Sequence, residues 1–319
     1  MQLRPALNSA IERLTSQCVP SPRMNAELLL MFTLDCDRAH LYGHPERELT
    51  ADEVRRYDEA LARRTTGEPA QYITGHQEFW GMDLIVTPAV LIPRPETEHV
   101  VETVLELMPL WRGRPGPRPL AVQHDRADVA EEPIPRIVDV GTGSGAIALA
   151  LAKELPSAEI YATDISTAAL EVARANAAKH QLRSRVHFHR ADLLSEIFSD
   201  LTPEPSASGQ PSAGLPRGEF DFVVSNPPYV GESEEDQVQL EVRKFEPRNA
   251  VFAGPTGLEV IERLIPQACE ALRPGGWLIF EISGTIAEGV RGLLAGWDDV
   301  VFKNDLQGIA RVAIARKPS

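Results

Sequence analysis

Three cysteines in 319 residues, none in a CxxC pair, exclude a sequence-readable disulfide framework or zinc knuckle. Cys18, Cys36 and Cys269 lie far apart, a usage that suits a reducing compartment. No apolar run approaches the ~18 residues that a membrane-spanning helix needs. Met1-Gln2-Leu3-Arg4-Pro5 leads into an amphipathic pattern rather than an apolar signal core, so a cytoplasmic enzyme with no membrane partner is expected. Positive charge is scarce as well. The 32 Lys and Arg face 46 Asp and Glu, for a net charge of -14. That balance disfavours a protein that holds nucleic acid by neutralising phosphates, so no direct nucleic-acid partner is expected. At 6% aromatic and a mean hydropathy of -0.18, the chain is neither disordered nor fibrous. Its length allows roughly two domains, each able to bury its own core.

The first part is patterned for helices. Leu7, Ile11 and Leu14 share one helix face, as do Val54, Tyr57 and Leu61. A further apolar stretch runs through Leu28-Leu29-Leu30-Met31, and Thr50 with Glu53 forms a capping box at a helix start. Three or four such helices make a small bundle, either packing support or a docking surface for a partner. Nine Arg against thirteen Asp and Glu, with no Lys, leave -4 before residue 92. Near residue 75 the period changes. Phe79-Trp80 and Leu84-Ile85-Val86 flank Gly81-Met82, and that Gly-X pair predicts a two-residue hairpin turn. The prolines of Leu91-Ile92-Pro93-Arg94-Pro95-Glu96-Thr97-Glu98 delay the next helix to about 98–107.

From Arg136 onward strand and helix patterns alternate, with strands expected at 137–140, 159–164, 186–189, 220–225, 277–282, 299–303 and 310–315. The fold class is α/β, a doubly wound, mostly parallel sheet. Its last two strands have no helix between them and form an antiparallel edge hairpin. The expected division is a helical domain over 1–72, a linking β-hairpin over 73–92 and a catalytic domain over 93–319. Residues 113–135 hold five Pro, and residues 202–218 hold four Pro, three Gly and three Ser. Both read as mobile insertions on the edge carrying strand N-termini, away from the ligand-binding edge.

Three groups of residues carry chemistry. Asp139-Val140-Gly141-Thr142-Gly143-Ser144-Gly145 joins a strand to a helix. Its GxGxG spacing is neither the dinucleotide GxGxxG nor a Walker loop. With an acidic residue at the preceding strand end, it looks like the loop that holds the methionine part of S-adenosyl-L-methionine. Asp164 ends the next strand, where a carboxylate can accept both ribose hydroxyls; the alternative is a helix N-cap, for which Ser166 and Thr167 are better placed. Asp192, read as ending the third strand, is either an acceptor for the adenine amino group or a surface carboxylate. Asn226-Pro227-Pro228-Tyr229 follows the strand over 220–225. The prolines remove two backbone donors and leave carbonyls free. The Asn226 carboxamide oxygen and the Pro227 carbonyl can accept from one planar NH2 group, with the Tyr229 face stacked on it. His187 and His189 share a strand face, but no third ligand is evident and no metal is expected. Glu232, Glu234, Glu235 and Asp236 form an acidic run, either a solvated loop or an attractor for a basic partner protein.

These motifs together resemble the peptide-chain release factor glutamine methyltransferases (the HemK/PrmC family), class I enzymes that use S-adenosyl-L-methionine. The resemblance spans nearly the whole chain apart from the two insertions. It includes Gln71-Tyr72-Ile73, Phe79-Trp80-Gly81, the segment 91–98, the glycine loop and 226–229. It continues in Phe245-Glu246-Pro247-Arg248, Gly257-Leu258 and Gly308-Ile309-Ala310-Arg311-Val312. It implies a Rossmann-like catalytic domain behind a helical docking domain, and cofactor contacts that include Thr97, Asn226 and Leu193, where some relatives carry an aromatic. It further implies that the acceptor is the glutamine of a Gly-Gly-Gln loop in a release factor. The NPPY motif is shared with DNA and RNA amino-methyltransferases, so adenine-N6 or cytosine-N4 methylation is a rival. Glutamine methylation of a ribosomal protein is another, and a non-catalytic adaptor that binds the cofactor is a third. With the insertions contributing only -1 and 0, the acidity belongs to the folded body and is a candidate steering surface for a basic protein.

Overall fold

A computed structural model describes residues 1–112, 134–195 and 218–319. Except for residues 134, 135 and 218, the Pro-rich stretches 113–135 and 202–218 lie outside the described residues. The chain opens with five helices, α1 (Leu3–Ser16), α2 (Pro22–Leu34), α3 (Arg38–Gly43), α4 (Ala51–Thr65) and α5 (Ala70–Thr74). Periodicity pointed to three or four, because α3 and α5 are too short to show an apolar repeat. The capping box on α4 is complete: Thr50 Oγ1 accepts from Glu53 N at 3.2 Å, and Glu53 Oε2 accepts from Thr50 N at 2.8 Å. Leu3, Leu14, Leu29, Leu30 and Tyr57 fill the bundle core, where the Tyr57 hydroxyl donates to the Ala26 carbonyl at 2.9 Å.

A hairpin, β1 (His76–Phe79) and β2 (Met82–Ile85), follows. Its turn is Trp80-Gly81, one residue before the expected Gly81-Met82, because Phe79 pairs with Met82. Both turn residues have positive φ, 52° and 64°, as a type I′ turn requires. Such a conformation is strained for Trp80, but two carboxylates hold it there. Glu98 accepts its backbone N–H at 2.7 Å, and Glu154 accepts its indole N–H at 3.0 Å.

The remainder runs α6 (Glu98–Arg112), β3 (Arg136–Val140), α7 (Ala146–Glu154), β4 (Glu159–Asp164), α8 (Thr167–Lys179), β5 (Val186–Arg190) and β6 (Phe220–Ser225). After these come β7 (Val230–Gly231), α9 (Leu240–Phe245), α10 (Arg248–Val251), β8 (Phe252–Gly254), α11 (Glu259–Ala271), β9 (Leu272–Glu281), α12 (Ala287–Leu293), β10 (Asp298–Asn304) and β11 (Ala310–Arg316). The main sheet has the order β10-β11-β9-β6-β3-β4-β5. Its strands are parallel from β9 through β5, and β11 and β10 close it as the expected antiparallel edge hairpin. Alternate side chains serve opposite faces. Ile137, Phe222 and Val224 pack under α6 and α7, while Val138, Val140 and Val223 join the cluster under α11 and α12. The chain leaves β3 toward β4 on one side and returns to β6 on the other, so a crevice opens beyond the C-terminal tips of these strands.

Asp221 is a buried exception among the apolar residues of β6. It accepts from the Trp111 indole and from Arg136 N, each at 2.7 Å, and pairs with Arg273 at 2.5 Å. Replacing Asp221 with Ala strips three groups of a buried acceptor and is expected to destabilise the fold by about 3–5 kcal/mol. Urea unfolding measures this directly; a loss below about 1 kcal/mol would show that the network is dispensable.

Candidate active site

The strand tips frame a cavity of about 490 Å³. Gly141, Thr142, Gly143 and Ser144 form one wall. Gly141 and Gly143 have φ of +72° and +55°, and a Cβ on either would meet nothing within 4 Å, so a ligand can approach the bare backbone. Gly145 does not line the cavity. A Cβ there would come within 3.2 Å of Leu149 and 3.3 Å of Ala173, so this glycine serves the packing of α7 against α8.

Beneath the loop, Asp139 Oδ2 accepts from the Thr142 hydroxyl at 2.7 Å and from Ala148 N at 3.2 Å. Its Oδ1 is buried with no partner. Burial, aided by nearby Asp164, pushes the Asp139 carboxyl up to about 7. Asp164 lines the cavity and accepts from Gly143 N and Ser166 N, each at 2.9 Å. The cap of α8 is Ser166, whose hydroxyl accepts from Ala169 N. An orphaned carboxylate oxygen below the loop and a second carboxylate at the next strand tip fit a ligand with an ammonium group near one end and vicinal hydroxyls further along.

The third strand, β5, ends at Arg190, so Asp192 stands beyond its tip rather than ending it. Asp192 lines the cavity with one oxygen paired to Arg263, which also lines it. Leu193 lines it in a left-handed conformation, φ 56°, strained for a branched side chain. The Thr163 hydroxyl donates to its carbonyl at 2.9 Å, and Gln267 accepts from the next N–H at 2.8 Å, which holds the strained turn in place.

On the opposite wall, the structure brings Thr97, Asn226 and Pro228 to the cavity. The Pro227 ring is buried, and Tyr229 packs against the cluster under α11. Asn226 Nδ2 donates to Thr97 Oγ1 at 3.0 Å. The Thr97 hydroxyl donates to Glu281 Oε2 at 2.6 Å, and the Tyr229 hydroxyl donates to Glu281 Oε1 at 2.8 Å. Burial raises the Tyr229 hydroxyl well above its ordinary value, and the Glu281 carboxylate pushes the same way. Gly257, with φ +86°, sits where a Cβ would approach the Tyr229 carbonyl oxygen to 2.6 Å. Glu246 ties the segment before Thr97 to the chain beyond the acceptor loop. It accepts from Ile92 N at 3.1 Å and pairs with Arg94. The bundle is anchored to the same region. Arg64, buried in α4, reaches Asn25 at 2.7 Å and Glu241 of α9 at 2.5 Å.

Glu281 escaped sequence reasoning, although a single carboxylate directly after the apolar run Trp277-Leu278-Ile279-Phe280 was a usable signal. His187 and His189 lie beside the Tyr161 ring, 4.9 and 6.2 Å away between centroids. Among the described residues no group of three or more His, Cys, Asp or Glu is arranged to hold a metal, and no helix is long and apolar enough to cross a membrane.

The sheet order, the glycine loop and the strand-end NPPY define a class I methyltransferase. Residues 134–288 match a methyltransferase domain model, and residues 5–75 match the PrmC N-terminal domain. The chain is 50% identical to the release factor glutamine methyltransferase of Koribacter versatilis (strain Ellin345) over 100% of both chains. It is 42% identical to that of Moorella thermoacetica, covering 92% of this chain and 89% of the relative. The chain belongs to the release factor glutamine methyltransferase family. In fold it is similar to the hMettl16 catalytic domain in complex with MAT2A 3'UTR hairpin 1, with a TM-score of 0.51 at 15% identity over 87% of this chain and 84% of that one.

Proposed function

We propose that this protein, acting in the cytoplasm, methylates N5 of the glutamine in the Gly-Gly-Gln loop of peptide-chain release factors, with S-adenosyl-L-methionine as donor. The observation that carries this reading is the orientation of Asn226. Its NH2 is spent on Thr97, so its carbonyl oxygen is left to face an acceptor amide. When bound, S-adenosyl-L-methionine supplies an electrophilic methyl group. Asp139 and Asp164 would hold its ammonium and ribose ends, while Gly141 and Gly143 leave room for its chain.

An amide nitrogen is a poor nucleophile because its lone pair is delocalised into the carbonyl. Asn226 Oδ1 and the Pro227 carbonyl accept its two N–H bonds, orient it, and stabilise the positive charge that grows on nitrogen. Neither is an acid or base; the proton leaves after the nitrogen has become acidic. The Tyr229 ring, packed against the cluster under α11 and not on the cavity wall of the ligand-free protein, would flank the amide plane once the acceptor is bound. The bundle, tied to α9 through Arg64 and Glu241, adds a second docking surface for the release factor. A methyl-transfer assay with release factor, ribosomal protein and DNA in parallel tests the substrate class. Label is expected in release factor; label in DNA alone would overturn the reading.

The donor site carries a pH signature. Asp139, with its carboxyl pushed up to about 7, must lose its proton to face an ammonium group. Its ionised fraction rises with pH, so affinity for S-adenosylhomocysteine should rise about tenfold from about pH 6 to about pH 8. For the ligand-free protein the sign is opposite. A carboxyl raised from 3.8 contributes stability at low pH that is lost as pH climbs through about 7. Titration calorimetry across this range, with Asp139→Asn as the flat control, checks the prediction. A wild-type affinity that falls with rising pH would contradict it.

A further inference from the structure

We infer that Glu281 is a positioning residue that sets the polarity of the Asn226 amide through Thr97. This deepens the proposed function and rests on its reading that an acceptor NH2 meets Asn226. Glu281 ends β9 in the central sheet, and its side chain is buried. Burial raises the Glu281 carboxyl above its ordinary value, but the Thr97 and Tyr229 hydroxyls both donate to it. Each of its oxygens therefore acts as an acceptor, and one takes the single hydroxyl proton of Thr97 at 2.6 Å. Thr97 Oγ1 then shows Asn226 only lone pairs, so the amide must turn its NH2 toward Thr97, as the 3.0 Å contact shows. The carbonyl oxygen is thereby committed to the cavity.

Without the carboxylate, the Thr97 hydroxyl is free to donate to Asn226 Oδ1. The amide then turns over and presents its own NH2 to the NH2 of the acceptor, donor against donor. An unaided asparagine has little preference between these two orientations, because its oxygen and nitrogen ends have nearly the same shape. The other Glu281 oxygen holds the Tyr229 hydroxyl at 2.8 Å, so one buried group orients both ends of the acceptor motif. Thr97 itself is buried and stays put, its N–H bonded to the Arg94 carbonyl at 3.1 Å.

The test is steady-state kinetics on purified release factor, with S-adenosylhomocysteine binding and thermal unfolding measured on the same preparations. Glu281→Met keeps the chain length and removes the acceptor; Thr97→Val keeps the shape and removes the hydroxyl. Each is expected to lower kcat by about tenfold to a hundredfold with KM within about threefold. Glu281→Met, whose side chain does not line the cavity, is expected to leave S-adenosylhomocysteine affinity within about threefold. The double variant is expected to be no worse than the weaker single variant, because both break one relay. Thr97→Ser should recover most of the rate lost in Thr97→Val. Full kcat in a folded Glu281→Met protein, or single losses that multiply in the double variant, would overturn the relay. If Glu281→Met does not fold, Thr97→Val decides alone: undiminished kcat there overturns it. Failure of the wild-type protein to methylate release factor would instead strike at the substrate reading.

Discussion

Replacing Asn226 with alanine is expected to lower kcat by about 10²–10³-fold while S-adenosylhomocysteine affinity stays within about threefold. The side chain sits at the tip of β6, and its amide nitrogen is occupied by Thr97. What alanine removes is the oxygen that faces the acceptor. That oxygen strengthens its interaction as charge develops on the nitrogen, so the loss belongs to the transition state more than to binding. Asn226→Asp is the sharper companion. Its carboxylate is isosteric but gives Thr97 no N–H, so it should lose most of the rate despite keeping an oxygen in place. Single-turnover kinetics with calorimetric ligand binding separate the two effects. A folded Asn226→Ala protein with wild-type kcat would remove this residue from the chemistry.

Gly257→Ala should be almost as damaging, from outside the cavity. With φ at +86°, an added Cβ is strained by itself, and it would stand 2.6 Å from the Tyr229 carbonyl oxygen and 3.1 Å from Gly231 N. Backbone, not a flexible side chain, occupies that space, so the acceptor loop must move. The strain should cost about 1–3 kcal/mol of stability. A displacement of about 1 Å in the loop carrying Asn226 should depress kcat by about a hundredfold, with cofactor affinity little changed. Thermal unfolding and kinetics on the same preparation check both halves. An alanine variant with normal kcat would show that Tyr229 can shift without disturbing Asn226.

Much of the fold was legible because its signals are local. The alternation of apolar runs and helix faces after Arg136 marks the parallel sheet, and the missing helix between the last two strands marks the edge hairpin. The hairpin turn was misplaced by one residue because the Gly81 signal could be read in either of two registers. Tertiary partners, Glu98 and Glu154, decide between them. The glycine loop and NPPY were readable for the same local reason. The relay behind them was not: Thr97, Asn226 and Glu281 come from three distant segments, joined only when β6 and β9 pair side by side. Asp192 illustrates the converse. Its position beside the cavity was readable, but its pairing with Arg263 on α11 was not.

Acidity, which at first only disfavoured nucleic acid, now has a specific geometry. Glu232, Glu234, Glu235 and Asp236 follow the acceptor motif, with Glu235 paired to Arg248 at 2.7 Å and Asp236 paired to Arg243 at 3.2 Å. The central claim is that this site methylates a protein glutamine. Its most direct test is peptide mass spectrometry of release factor after incubation with the protein and S-adenosyl-L-methionine. One methyl group on the side-chain nitrogen of the Gly-Gly-Gln glutamine is the expected result. An unmodified glutamine, with the methyl group recovered on ribosomal protein or DNA instead, would contradict it.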